Sequence, residues 1–131
     1  MSGSPPAFPR RIEKPWGHEE ILVETEFYRL RVLAIRAGEG ISLQRHTRKH
    51  ESWYVDGGAG EATLGFYTEG GSLGASTFPV FKGQSLTVPP GTVHRLGALP
   101  DRGLRVIEVS NAVPDTDIER IHDPYADRRG P

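Results

Sequence analysis

A chain of 131 residues has room for one domain around one core and too few residues for two. Its 16 Lys and Arg against 17 Asp and Glu leave a formal net charge of -1, which excludes a general attraction to nucleic acid or anionic membrane. No cysteine is present, so disulfides and thiolate-held metals are excluded, and any metal ligand has to be His, Glu, Asp, Gln or Asn.

The opening residues 1–11 are rich in Pro and Ser with few apolar groups, and they are expected to form a flexible or draped arm ahead of a domain over 12–131. They contain no apolar stretch long enough for a signal sequence or membrane span, so the cytoplasm is the expected location. Strands are predicted over Glu19–Thr25 and Tyr28–Arg36, the second alternating Leu30, Val32 and Ala34 against Arg29, Arg31 and Leu33. After the turn Ala37-Gly38-Glu39-Gly40, Ile41–His46 resumes the extended pattern. Ser52–Asp56 is a short strand closed by Gly57-Gly58-Ala59-Gly60, and Glu61–Thr68 is the next. Glu69–Ser76 reads as a surface hairpin loop. Phe78–Phe81, Gln84–Val88, Val93–Leu96 and Leu104–Ser110 complete the strands, and Asp115–Ile121 is expected to make a helical turn or two. Short strands punctuated by 16 Gly and 11 Pro predict an all-β sandwich or barrel.

Two windows carry chemistry. In the first, Gln44 and His46 stand two apart in an extended segment, so both side chains point to one face. Glu51 opens the following strand after a tight turn and can face the same interior. In the second, His94 follows the Pro89-Pro90-Gly91 turn.

These windows resemble the paired motifs of the cupins. The first reads Gly38, five residues, Gln44-x-His46, four residues, Glu51, six residues, Gly58; the second reads Gly83, five residues, Pro89-x-Gly91, two residues, His94. Every spacing fits, with Gln44 where a His is usual and Ala98 where an Asn is usual. The resemblance implies a single-domain jelly-roll and one divalent metal ion held by Gln44, His46, Glu51 and His94. Two imidazoles, a carboxylate and an amide oxygen suit Zn, Mn, Fe, Co or Ni. The alternatives are a three-ligand site with Gln44 a plain strand residue, and a metal-free pocket.

A narrower likeness runs over about residues 12–128. Lys14-Pro15-Trp16-Gly17, Ile41-Ser-Leu-Gln-Arg-His46, Glu51-Ser-Trp53, Val88–Leu96 and Asp117–Tyr125 resemble the isomerase domain of type II mannose-6-phosphate isomerases. In many of those relatives the domain follows a nucleotidyltransferase domain; the present chain reads as the domain standing alone. Ser52 replaces the family's His, Gly97-Ala98 replaces its Glu-Asn, and its final Tyr-Gly-Arg becomes Tyr125-Ala126-Asp127-Arg128.

The likeness implies a metal-dependent aldose–ketose isomerase acting on a small molecule, a phosphorylated sugar. Such an enzyme needs a base beside the carbon, for which His50 and Glu108 are the candidates. It also needs an anion anchor, for which Arg95 and Lys14 are the candidates. Trp53 is expected in the core, and Arg48-Lys49 in a solvated turn. The same shell also serves oxygenases, lyases and cyclases, or a non-catalytic sugar- or effector-binding cupin. A homodimer formed through edge strands is expected.

Overall fold

The computed structural model describes residues 7–126. Among these, ten strands and no α-helix form: β1 Arg10–Lys14, β2 Gly17–Glu24, β3 Tyr28–Ile35, β4 Leu43–Arg45, β5 Glu51–Tyr67, β6 Leu73–Phe81, β7 Ser85–Val88, β8 Val93–Ala98, β9 Leu104–Asn111 and β10 Glu119–His122. All pairings are antiparallel. The order β1-β2-β3-β9-β5 builds one sheet, with β7 on the other side of the first half of β5. The second half of β5 lies between β6 and β8, and β8 continues through β4 to β10. The chain is thus all-β, as its turn spacing predicted, and it takes the jelly-roll form that the resemblance implied.

One long strand joins the two sheets. The Gly57–Gly60 run was expected to close a strand, yet β5 passes straight through it, with a register shift between Val55 and Gly57. Glycine makes this possible twice over. Gly58 has a φ of 74°, which favours glycine, and a Cβ on Gly60 would collide with the Gly97 carbonyl of β8. The bend turns the inward row of β5 from one sheet to the other, so Trp53, Val55 and Ala62 share a core with Leu33, Leu96 and Val106.

Three further boundaries differ from the sequence expectation. Arg10 and Arg11, placed in the arm, pair with Ile21 and Glu20 of β2; residues 1–6 and 127–131, including Asp127 and Arg128, lie outside the described residues. The expected loop over Glu69–Ser76 is shorter, because β6 already pairs with β5 at Leu73. The expected helical turn over Asp115–Ile121 does not form. The Asp117 carboxylate accepts N–H groups from residues 47–49 rather than from its own segment, and Glu119–His122 pairs with β4 instead.

Candidate metal centre

Three elements deliver the polar cluster. Gln44 on β4 lies directly opposite His94 on β8, so strand register alone makes these side chains neighbours. His46 follows β4 by one residue, and Glu51 is the first residue of β5. The ligand atoms of His46, Glu51 and His94 all lie within 4.8 Å of one another, and all three residues are buried.

The histidines are oriented by their backbone bonds. His46 Nδ1 lies 2.6 Å from the Asp117 carbonyl oxygen and His94 Nδ1 lies 2.9 Å from that of Thr92. A carbonyl only accepts, so each Nδ1 carries the proton, and in the neutral ring Nε2 carries the lone pair. Burial pushes the His94 imidazole below its usual pKa and so favours that neutral form. Glu51 is aimed in the same way: Trp53 Nε1 donates to its Oε1 at 2.7 Å, leaving Oε2 turned to the rings.

The result is a set of buried acceptor atoms that converge on one point. His46 Nε2 and Glu51 Oε2 are 3.3 Å apart, buried, and have no hydrogen-bond partner. His94 Nε2 is 3.8 Å from the same oxygen. Converging buried lone pairs are costly unless a positive charge sits among them, so the donor set fits a divalent ion. Gln44 completes one side, its Nε2 3.5 Å from His94 Nε2 and its Oε1 accepting from Ser42 Oγ at 2.6 Å. A half-turn of the amide exchanges the two atoms, setting Oε1 beside His94 Nε2, and the Ser42 hydroxyl then accepts from Nε2 equally well.

A charged network adjoins the triad. Arg31 Nε and Nη2 donate to the two Glu108 oxygens at 2.9 and 3.0 Å, while Nη1 reaches Glu19 Oε2 at 2.6 Å. Lys49 Nζ lies 3.0 Å from Glu108 and 3.7 Å from Glu51 Oε2. Burial by itself raises the Glu108 carboxyl, but the Arg31 guanidinium and the Lys49 ammonium beside it hold it far below the usual carboxylate range.

The other site residues named from the sequence divide. Lys14 and Glu108 line a cavity of about 530 Å³ that His46, Glu51 and Gln44 also line. Arg95 belongs to the opposite row of β8 from His94, its guanidinium lying against Gly40 and Gly97. His50 is exposed and does not line that cavity. Trp53 is in the core as expected, whereas Lys49, expected in a solvated turn, is buried. Arg31, Glu19, Lys49 and Asp117 were not among the site residues named from the sequence. The signal for Arg31 was legible, since a charged residue sits in the row of β3 that also carries Leu33 and Ile35. Asp117 had no such signal, because it acts across 68 to 70 residues of chain.

Asp117 is the structural support of the site. Its carboxylate accepts the N–H groups of Thr47, Arg48 and Lys49 at 2.9 to 3.0 Å, and its carbonyl accepts from His46. Burial by itself raises its pKa, but the three backbone N–H groups and the nearby His46 together lower it. Asp117→Ala is expected to leave the fold intact and weaken metal binding by about 10- to 100-fold, the usual effect of removing an outer support. Metal titration by calorimetry measures it.

The family described as Mannose-6-phosphate isomerase C-terminal matches residues 6–123. A mannose-1-phosphate guanylyltransferase of Klebsiella pneumoniae is 28% identical over 121 residues, which cover 88% of this chain and 23% of that protein. The chain thus spans about a quarter of the length of that curated relative. Among solved structures, the capsular polysaccharide assembling protein CapF of Staphylococcus aureus superposes with a TM-score of 0.72 at 18% identity, covering 86% of this chain and 34% of that one. A cupin-2 domain of Rhodospirillum rubrum superposes with a TM-score of 0.60 at 22% identity, covering 75% and 61%. Fold, paired motifs and family match agree: the chain is a cupin and belongs to the mannose-6-phosphate isomerase C-terminal family.

Proposed function

We propose that this domain is a metal-dependent isomerase interconverting an aldose and a ketose phosphate, with mannose 6-phosphate and fructose 6-phosphate as the pair its family suggests. The observation that carries this reading is the facing pair of unpartnered buried lone pairs, His46 Nε2 and Glu51 Oε2, beside a cavity of sugar-phosphate size. The reaction moves a proton from C2 to C1 of the open-chain aldose and the hydroxyl proton from O2 to O1, leaving the carbonyl at C2. An ion held by Gln44, His46, Glu51 and His94, one of Zn, Mn, Fe, Co or Ni, would polarise the two sugar oxygens as a Lewis acid.

The chain's own residues supply the rest. Lys49 sets a fixed positive charge 3.7 Å from Glu51 Oε2, where negative charge grows on the sugar oxygens. Lys14 reaches the cavity from β1 and has no ion pair among the described residues, which suits it to the phosphate. Of the two base candidates, Glu108 lines the cavity, and taking a proton requires Arg31 to loosen its hold. His50 serves only if its loop swings inward, and Arg95 meets substrate only from outside the sheet. The clamp on Glu108 favours a second reading, in which the same shell performs different metal-dependent chemistry on a small metabolite.

The deciding assay incubates metal-reconstituted protein with mannose 6-phosphate in deuterated water and follows C1 and C2 by NMR. The proposal expects ketose formation, with the C2 hydrogen exchanged or transferred to C1, and an inert Glu51→Gln variant. Neither ketose nor exchange with any of the five metals overturns it and transfers the site to the second reading.

A further inference from the structure

Most of the polar side chains that line the cavity around Glu51 are committed within the protein. Ser42 Oγ donates to Gln44 Oε1, and Lys49 meets Glu108. The Asp117 carboxylate takes three backbone N–H groups. Asn111 accepts from the His50 N–H and donates to the Arg48 carbonyl. Ser110 differs. It lines the same cavity and is 5% exposed, yet its hydroxyl has no hydrogen-bond partner among the described residues.

A hydroxyl carries one donor and two acceptor sites, and a buried one left unmet costs about 1–3 kcal/mol. The strand shows where a partner would have to stand. Leu104, Val106, Glu108 and Ser110 form the buried row of β9, so Ser110 projects to the side that Glu108 occupies. Register sets Ser110 directly opposite Glu51 on β5 and Arg29 on β3. Side chains paired in this way have Cβ atoms about 4.5–5.5 Å apart. Arg29 is itself taken by Glu24, to which its Nε donates at 2.6 Å. The Ser110 hydroxyl is therefore the unclaimed polar group beside Glu51, and its partner has to come from the contents of the cavity.

The chemistry of that partner follows from the group. Ser110 is neutral and both donates and accepts, which complements another hydroxyl, whereas an anionic group is drawn to Lys14 instead. In an open-chain sugar whose O1 and O2 face the Glu51 cluster, the next oxygen along the carbon chain is the C3 hydroxyl.

We infer that Ser110 is a specificity-determining residue that hydrogen-bonds the C3 hydroxyl of the open-chain sugar phosphate. The inference rests on the sugar-phosphate reading above for its ligand. Neither charge stabilisation nor proton transfer is asked of Ser110, so its effect is on recognition.

Isothermal titration calorimetry on the zinc-loaded full chain tests it with two ligands that have no carbonyl and cannot turn over, mannitol 6-phosphate and its 3-deoxy counterpart. Wild type is expected to bind the full alditol about 3- to 10-fold more tightly, the worth of one neutral hydrogen bond. Ser110→Ala is expected to bind the two equally, with unchanged zinc affinity and circular dichroism. Ser110→Thr keeps the hydroxyl and is expected to restore the preference. A wild type that binds both alditols equally overturns the inference and leaves the sugar-phosphate reading standing. So does a Ser110→Ala variant that keeps the preference, or one that loses zinc affinity, since the residue then supports the metal site instead. A wild type that binds neither alditol overturns the sugar-phosphate reading and this inference with it.

Discussion

Arg31→Ala is expected to destabilise the fold by about 3–5 kcal/mol, the cost of removing one partner from a buried charge pair. Its guanidinium is the shared counter-ion of Glu108, which is 1% exposed, and Glu19, which is 5% exposed. With Arg31 gone, Lys49 still meets Glu108, but Glu19 loses the charge it faces. Arg31→Met fills the space yet leaves the same two carboxylates short of a cation, so it is expected to rescue little. For a domain of this size the loss corresponds to about 10–20 °C in Tm. Differential scanning calorimetry checks it, and a Tm within a few degrees of wild type contradicts it.

The same network sets the response to acid. The Glu108 carboxyl is held well below its unfolded value of 4.5. A depressed carboxyl contributes stability that is fully present above the unfolded value and is lost as pH falls towards the folded one. His94 acts in the same sense, because burial lowers it below 6.5 and acid must charge it in place. Stability of the metal-free protein is therefore expected to fall on acidification, beginning below 6.5 and steepening below 4.5. Arg31→Ala removes the main cause of the Glu108 depression, so the steeper segment is expected to flatten in that variant.

The second large effect concerns the ligands. His46→Ala and His94→Ala are each expected to abolish stoichiometric metal while the β-sheet signal persists, because either change removes an imidazole from a cluster whose ligand atoms lie within 4.8 Å. Loss of metal carries a thermal signature. An ion binding only the folded state stabilises it by about 2.7 kcal/mol at a hundred times its dissociation constant. Added metal is therefore expected to raise the melting temperature of wild type and leave both variants unmoved. A metal-dependent rise of equal size in either variant contradicts the ligand assignment.

The parts of this architecture that were legible in the sequence are those written in short-range spacing. Gln44 and His46 two apart, Glu51 five beyond, and His94 after its Pro-Gly turn form a local code, and the structure brings all four together. The alternation of β3 was plain too, but the row that faces the core and cavity is Arg31, Leu33 and Ile35 rather than Leu30, Val32 and Ala34. What spacing could not convey was sense of direction and long-range partnership. Arg95 is adjacent to a ligand in sequence but belongs to the other face of its strand, since neighbours in a strand point apart. Lys49 looked solvated beside Arg48, and only the turn geometry imposed by Asp117 carries it into the interior. The Gly57–Gly60 run read as a terminator because glycine usually interrupts strands; here it lets one strand bend from sheet to sheet.

The claim that a single ion sits between His46, Glu51 and His94 is tested most directly by NMR of the ¹⁵N-labelled imidazoles during metal titration. The chain has five histidines, and His18, His50 and His122 lie outside the cluster. Zinc added to one equivalent is expected to shift Nε2 of His46 and His94 as ligated nitrogens, leaving both Nδ1 atoms protonated and the other three rings unchanged. Saturation without a shift at those two Nε2 atoms, or with ligation through Nδ1, contradicts the account.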